Sequence, residues 1–173
     1  MNTAIFQYLH SFSGQSVYFD LIIIFGAKYL PYLMVAVLGL FFVFGDERGR
    51  ELKIVLRAIG SAVLARLIIT EIIRYFYYSP RPFMVYDFTP LIYDFNSSFP
   101  SGHASFFFAL AAAISLFHKK WGVAYFLGSF IIVLSRIIAG VHWPSDILGG
   151  IIVGIGSAIL MDKIFLHFNA PKP

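Results

Sequence analysis

His103 follows Pro100-Ser101-Gly102 at the mouth of a long apolar run. Pro100 bars helix upstream of itself and suits a helix start. Ser101 brings a hydroxyl and Gly102 an unobstructed N–H to the place where helix donors have no internal partner, and such a terminus attracts anions. His103 adds a titratable group at the same mouth. Further along, His142 and Asp146 straddle Trp143-Pro144-Ser145 at a second helix start. A spacing of four lets the carboxylate reach back to one imidazole nitrogen, which would hold the tautomer and support a nucleophilic ring. Taken alone, each cluster also reads as an ordinary capped helix start beside a histidine. Arg74, Arg81 and Arg136 decide between the readings, because planar multidentate donors are what phosphate oxygens need.

The elements that must position these groups are membrane helices. Hydrophobic residues make up 59% of the 173 residues and charged residues only 13%, and the mean hydropathy is +0.80. Too little charge remains to cover a water-soluble surface. Aromatic residues, at 18% with 20 Phe and 10 Tyr, suit lipid-facing surfaces and interfacial belts. The net charge of +4 forms no basic stripe for a duplex, so nucleic acid is not an expected partner. The absence of cysteine removes disulfides and thiolate chemistry. Met1-Asn2-Thr3-Ala4 lacks the basic opening of a signal peptide and the glycine needed for myristoylation.

The length allows one domain, expected over 1–173, in an all-α membrane bundle. Residues 1–18 read as a short interfacial helix, with Ile5, Phe6, Leu9 and Phe12 at roughly helical spacing. Five spans are expected after it: about 20–44, 52–78, 101–118, 121–139 and 144–162. The charged hinge 45–51 joins the first two, and a proline-marked polar loop, 79–98, precedes the third. Asn96-Ser97-Ser98 within that loop matches a glycosylation sequon, a common chance match. Arg48, Arg50, Lys53, Lys119, Lys120, Lys163 and Lys172 then share one face, which the positive-inside rule makes cytoplasmic. Arg74, Arg81 and Arg136 gather on the opposite face with both histidines.

The three clusters resemble the signature of the type 2 phosphatidic acid phosphatase superfamily. That signature is a basic residue, six residues and Arg-Pro; then Pro-Ser-Gly-His; then Ser-Arg, five residues, His, three residues and Asp. The matching positions are Arg74, Arg81 and Pro82; Pro100 to His103; and Ser135, Arg136, His142 and Asp146. The one departure is Arg74, where the family usually carries lysine; charge is kept and geometry changes.

The resemblance implies a metal-independent lipid phosphatase without a cofactor. His142 would attack phosphorus and form a phosphohistidine, with Asp146 orienting it. His103 would protonate the leaving oxygen and then help water attack. Arg74, Arg81, Ser101, Gly102 through its N–H, and Arg136 would bind the phosphoryl oxygens. The outer loops carry only the scattered carboxylates Asp87 and Asp94, in keeping with a site that needs no metal. The small five-span form most resembles undecaprenyl diphosphate phosphatases of a bacterial inner membrane, with the site facing the periplasm. Phosphatidylglycerophosphate phosphatase and lipid A 1-phosphatase are alternatives, and soluble vanadium haloperoxidases share the pocket but not this composition.

Charges remain that the signature does not cover. Lys28, Arg66 and Glu71 could line the path of a small transporter or channel, but no inverted repeat is present. Lys28 and Glu71 are expected roughly 12 Å below the outer surface of neighbouring spans, deep enough to favour an ion pair between them or a network with Arg74.

Overall fold

A computed structural model describes residues 1–44 and 48–169. These residues form helices and connecting loops, with no strand among them. The short helix α1, Asn2–His10, is followed by a long helix α2 over 17–44. The middle of α2, Phe25–Tyr29, widens into a π-turn. Pro31, just downstream, has no N–H to bond the carbonyl four residues before it, and its ring would crowd that carbonyl; the wider turn relieves both. Helix α3 covers 48–76 and contains a second π-turn at Leu64–Ile69. After the single-turn helix α4, Pro82–Val85, come α5, Gly102–Ser115, α6, Lys119–Ile138, and α7, Pro144–Asn169. Part of the expected 45–51 hinge, and Lys172, lie outside the described residues.

Among the described residues, three helical segments are long and apolar enough to cross a membrane: Val17–Leu40, Lys119–Ile138 and Pro144–His167. Helix α3 does not qualify, because Arg57, Arg66, Glu71 and Arg74 interrupt its apolar surface. Helix α5 is apolar but has only 14 residues, about 21 Å of helix against a hydrocarbon layer of roughly 30 Å.

Helix α5 is the core around which the others pack. Phe108, Leu110 and the Ala109–Ala113 run are buried against α3, α6 and α7. Its seam with α7 is built from small residues. A Cβ at Gly150 would lie 2.6 Å from the Ala104 Cβ, and one at Gly154 would lie 2.6 Å from the Ser105 carbonyl oxygen. No side chain fits at either position without parting the helices.

Helix α1 clasps the turn between α6 and α7. Phe6 is buried against the rings of Trp143 and His10. Asn2 Nδ2 donates to Ser145 Oγ at 2.9 Å while Asn2 Oδ1 accepts from the Ser145 N–H at 3.1 Å. His10 Nδ1 lies 2.8 Å from the Ile138 carbonyl oxygen. Gly140, at a φ of 85°, makes the left-handed turn that leads from α6 to His142.

Candidate active site

Each residue of the three motifs stands at a helix end, and the ends converge. Arg74 is in the last turn of α3, Arg81 immediately precedes α4, and Arg136 is in the last turn of α6. Ser101 and His103 bracket the start of α5; His142 and Asp146 bracket the start of α7. The two helix starts are tied directly, the Ser101 N–H donating to the Asp146 carbonyl oxygen at 3.0 Å. The Ser101 carbonyl oxygen accepts from Ser105 Oγ, which in turn accepts from Thr70 Oγ1 at 2.9 Å, carrying the link to α3.

Arg81 is fully buried. Its Nε donates to the Asn96 carbonyl oxygen at 2.8 Å and its Nη1 to that of Val141 at 2.8 Å. Nη1 also lies 3.3 Å from His142 Nε2. A guanidinium can only donate, so Nε2 must offer its lone pair and the proton must sit on Nδ1. Nδ1 faces Asp146 Oδ2 at 3.5 Å and Ser98 Oγ at 3.4 Å. The expected reach of Asp146 toward the ring is therefore present, at ion-pair rather than hydrogen-bond length. Asp146 Oδ2 is held more tightly by others, accepting from Ser98 Oγ at 2.5 Å and the Trp143 N–H at 2.8 Å.

Burial and the positive charges of Arg136 and Arg81 push the His142 imidazole well below its ordinary value. The ring is thus neutral at physiological pH, with the Nε2 lone pair turned toward the Arg81 guanidinium. That is the protonation state a nitrogen nucleophile requires.

A carboxylate sits among the arginines. Asp94 Oδ2 is 2.9 Å from Arg81 Nη2 and 3.0 Å from Arg136 Nη2. Burial alone would raise the Asp94 carboxyl, but the two guanidinium groups outweigh it and hold the group below the usual carboxylate range. Arg74 Nη2 donates to the Pro100 carbonyl oxygen at 3.0 Å. Arg74 Nε and Arg136 Nε are buried without a hydrogen-bond partner among the described residues. Buried donors are almost always satisfied, so each of these can still donate to one further acceptor. His103, Gly102, Asp94 and Arg136 line a cavity of about 610 Å³ that continues toward α2. His142, only 1% exposed, lies behind Arg81 and does not line it.

The structure thus brings together Arg74, Arg81, Ser101, Gly102, His103, Arg136, His142 and Asp146. Sequence reasoning passed over two participants, Asp94 and Ser98. Ser98 sits in the tripeptide read as a sequon, and Asp94 in a loop without periodicity. The position of Ser98 near Pro100 was the one available signal. Glu71 meets the expected network with Arg74 but not the expected pair with Lys28. It pairs with Arg66 and, at 3.4 Å, with Arg74 on its own helix. Among the described residues it makes no ion pair with Lys28, whose Nζ lies 5.5 Å from the Tyr29 ring centroid.

The profile of the PAP2 superfamily matches residues 55–169. The undecaprenyl-diphosphatase BcrC of Bacillus subtilis is 31% identical over 170 residues, covering 98% of this chain and 84% of that one. The crystal structure of Aquifex aeolicus LpxE superposes with a TM-score of 0.78 at 27% identity, covering 94% of each chain. A PAP2-type phosphatidylglycerolphosphate phosphatase from Bacillus subtilis shares the fold, with a TM-score of 0.66 at 22% identity over 99% of this chain and 87% of that one. The chain belongs to the PAP2 superfamily. It is a membrane lipid phosphatase of that class.

Proposed function

We propose that this chain hydrolyses undecaprenyl diphosphate to the monophosphate and inorganic phosphate by way of a phosphohistidine on His142. One observation carries the mechanism: a buried, neutral imidazole presents its Nε2 lone pair beside a cluster of guanidinium groups. Substrate phosphate takes the place of the Asp94 carboxylate between Arg81 and Arg136, with the free Nε donors of Arg74 and Arg136 available to its oxygens. His142 Nε2 attacks phosphorus, forming the N–P bond as the P–O bond to the leaving group breaks. The Nδ1 proton stays on the ring and faces Asp146, which stabilises the positive charge the ring acquires. His103, in the cavity, gives its proton to the leaving oxygen. In the second half a water attacks the phosphohistidine, His103 takes the water's proton, and the N–P bond breaks to release phosphate. The arginines stabilise the charge on the equatorial oxygens in both steps.

The substrate reading is supported by the full-length likeness to an undecaprenyl-diphosphatase. Lipid A 1-phosphatase activity is the second reading and phosphatidylglycerophosphate hydrolysis the third, each supported by sequence likeness over only part of the chain. The architecture we infer is five spans in a bacterial inner membrane, with α2, α3, α5, α6 and α7 crossing and the site facing the periplasm. The positive-inside distribution of Lys and Arg supports this orientation. Phosphate release from a panel of purified lipid phosphates and diphosphates tests the assignment. Undecaprenyl diphosphate should give the highest kcat/KM, and a clear preference for lipid A or phosphatidylglycerophosphate would overturn the choice.

A further inference from the structure

Two cations outside the motif clusters face the same cavity as His103. Lys28 sits in the π-turn of α2 and Arg66 in the π-turn of α3. Both line the cavity together with Gly102, His103 and Arg136. π-turns are rare and concentrate at functional sites; here two of them, on different helices, each bring one basic side chain to one space. Arg66 lies directly against the start of α5, since a Cβ at Gly102 would collide with its guanidinium group. Arg66 is held by Glu71, whereas Lys28 has no anionic partner among the described residues. A charge within an apolar helix is expensive unless it serves a ligand or a partner.

In-line displacement says which part of a substrate reaches these cations. The nucleophile and the leaving oxygen lie on opposite sides of phosphorus. With His142 on one side, the leaving oxygen falls on the side of His103. What lies beyond His103 therefore contacts the leaving group. In a phosphate monoester that group is an uncharged alcohol, for which two cations offer nothing. In a diphosphate it is a second phosphoryl group that gains negative charge as the bond breaks. The apolar wall of the same cavity, with Ile24, Val35, Phe106 and Phe107, suits the hydrocarbon attached to it.

We propose that Lys28 and Arg66 form a second phosphate subsite that holds the lipid-proximal phosphoryl group of a diphosphate and makes the enzyme prefer diphosphates to monophosphates. This rests on the diphosphate reading above and assigns its specificity to named residues.

The test compares farnesyl diphosphate with farnesyl monophosphate in detergent. Lys28→Met should lower the ratio of kcat/KM for diphosphate over monophosphate about tenfold, as expected for one lost charge-assisted contact. Lys28→Arg should restore it, and Arg66→Gln should act in the same direction. An unchanged ratio in Lys28→Met would overturn the subsite. A second measurement is independent of the lipid: inhibition by methylenediphosphonate and by inorganic phosphate, read on whichever lipid phosphate is turned over. The subsite requires methylenediphosphonate to inhibit more strongly, and Lys28→Met to narrow the gap. Should the wild-type protein ignore isoprenyl diphosphates yet show that gap, the lipid assignment fails and the subsite stands. Equal inhibition by both anions, unaffected by Lys28→Met, removes the subsite and leaves the lipid assignment to the substrate panel.

Discussion

The Ser98 hydroxyl donates to Asp146 Oδ2 at 2.5 Å. It is buried, and its oxygen also lies 3.4 Å from His142 Nδ1. Ser98 thus fixes the carboxylate that faces the imidazole, without lying in the cavity itself. Ser98→Ala leaves Asp146 Oδ2 with the Trp143 N–H and the distant ring. We expect kcat to fall roughly ten- to a hundredfold with KM nearly unchanged, the range of a lost hydrogen bond to a charged group. Ser98→Thr should recover part of the loss. Steady-state kinetics on one lipid phosphate decide the matter, and a change confined to KM would contradict the positioning role.

His142 and His103 should separate by leaving group. His142→Ala is expected to abolish turnover while the protein remains folded in detergent. His103→Ala should keep more of the first step on substrates with good leaving groups, because acid catalysis matters less there. Acid-labile phosphoprotein, trapped by rapid quench, reads that step. Equal losses for both variants on every leaving group would count against the assignment.

Asp94 pairs with Arg81 and Arg136, the two guanidinium groups we propose the substrate phosphate takes over. Asp94→Asn removes the charge and keeps the size, so vanadate inhibition should strengthen, on the order of tenfold. The same variant should unfold at lower temperature, since two buried guanidinium groups lose their counter-ion. Vanadate or phosphate should restore part of that stability in a concentration-dependent way. Weaker vanadate binding in Asp94→Asn would mean that the carboxylate organises the pocket rather than occupying it.

The buried His142 ring carries a pH signature. Below its ordinary value of 6.5 the unfolded chain's imidazole takes up a proton that the native ring refuses. Stability therefore falls as pH drops from that value toward the lower native one, and above it the ring contributes no slope. Asp94 acts elsewhere: its lowered value gives stability above the ordinary 3.8 that is lost only at more acidic pH. His142→Asn should accordingly show a shallower loss of thermal stability between about pH 7 and pH 5, by at most about 1.4 kcal/mol per pH unit. Parallel curves for the two proteins would mean that the native ring takes up protons as the unfolded one does.

The convergence of His103, His142, Asp146 and the three arginines was legible because each sits at a helix end that proline, glycine or charge marks in the sequence. Asp94 and Ser98 were not legible. Their partners lie beyond the reach of helical spacing, Asp94 bonding to Arg136 and Ser98 to Asp146 across a loop without periodicity. The expected Lys28–Glu71 pair failed for a local reason. Arg74 lies three residues from Glu71 on one helix face, and the π-turn of α3 brings Arg66 to the same carboxylate. A third span reaching His118 was expected, whereas α5 ends at Ser115. Apolar content alone does not show where a helix stops.

The glycine seam between α5 and α7 has a mechanical meaning. His103 rides on α5, while His142 and Asp146 sit at the head of α7. With Gly150 and Gly154 pressing the two helices to backbone contact, His103 and His142 belong to a single stiff block. Whatever admits a lipid chain must therefore yield on the opposite side, where α2 and the 86–98 loop meet the cavity. The catalytic distances need not be rebuilt with each turnover, and the enzyme can open to lipid while its reacting groups stay in register.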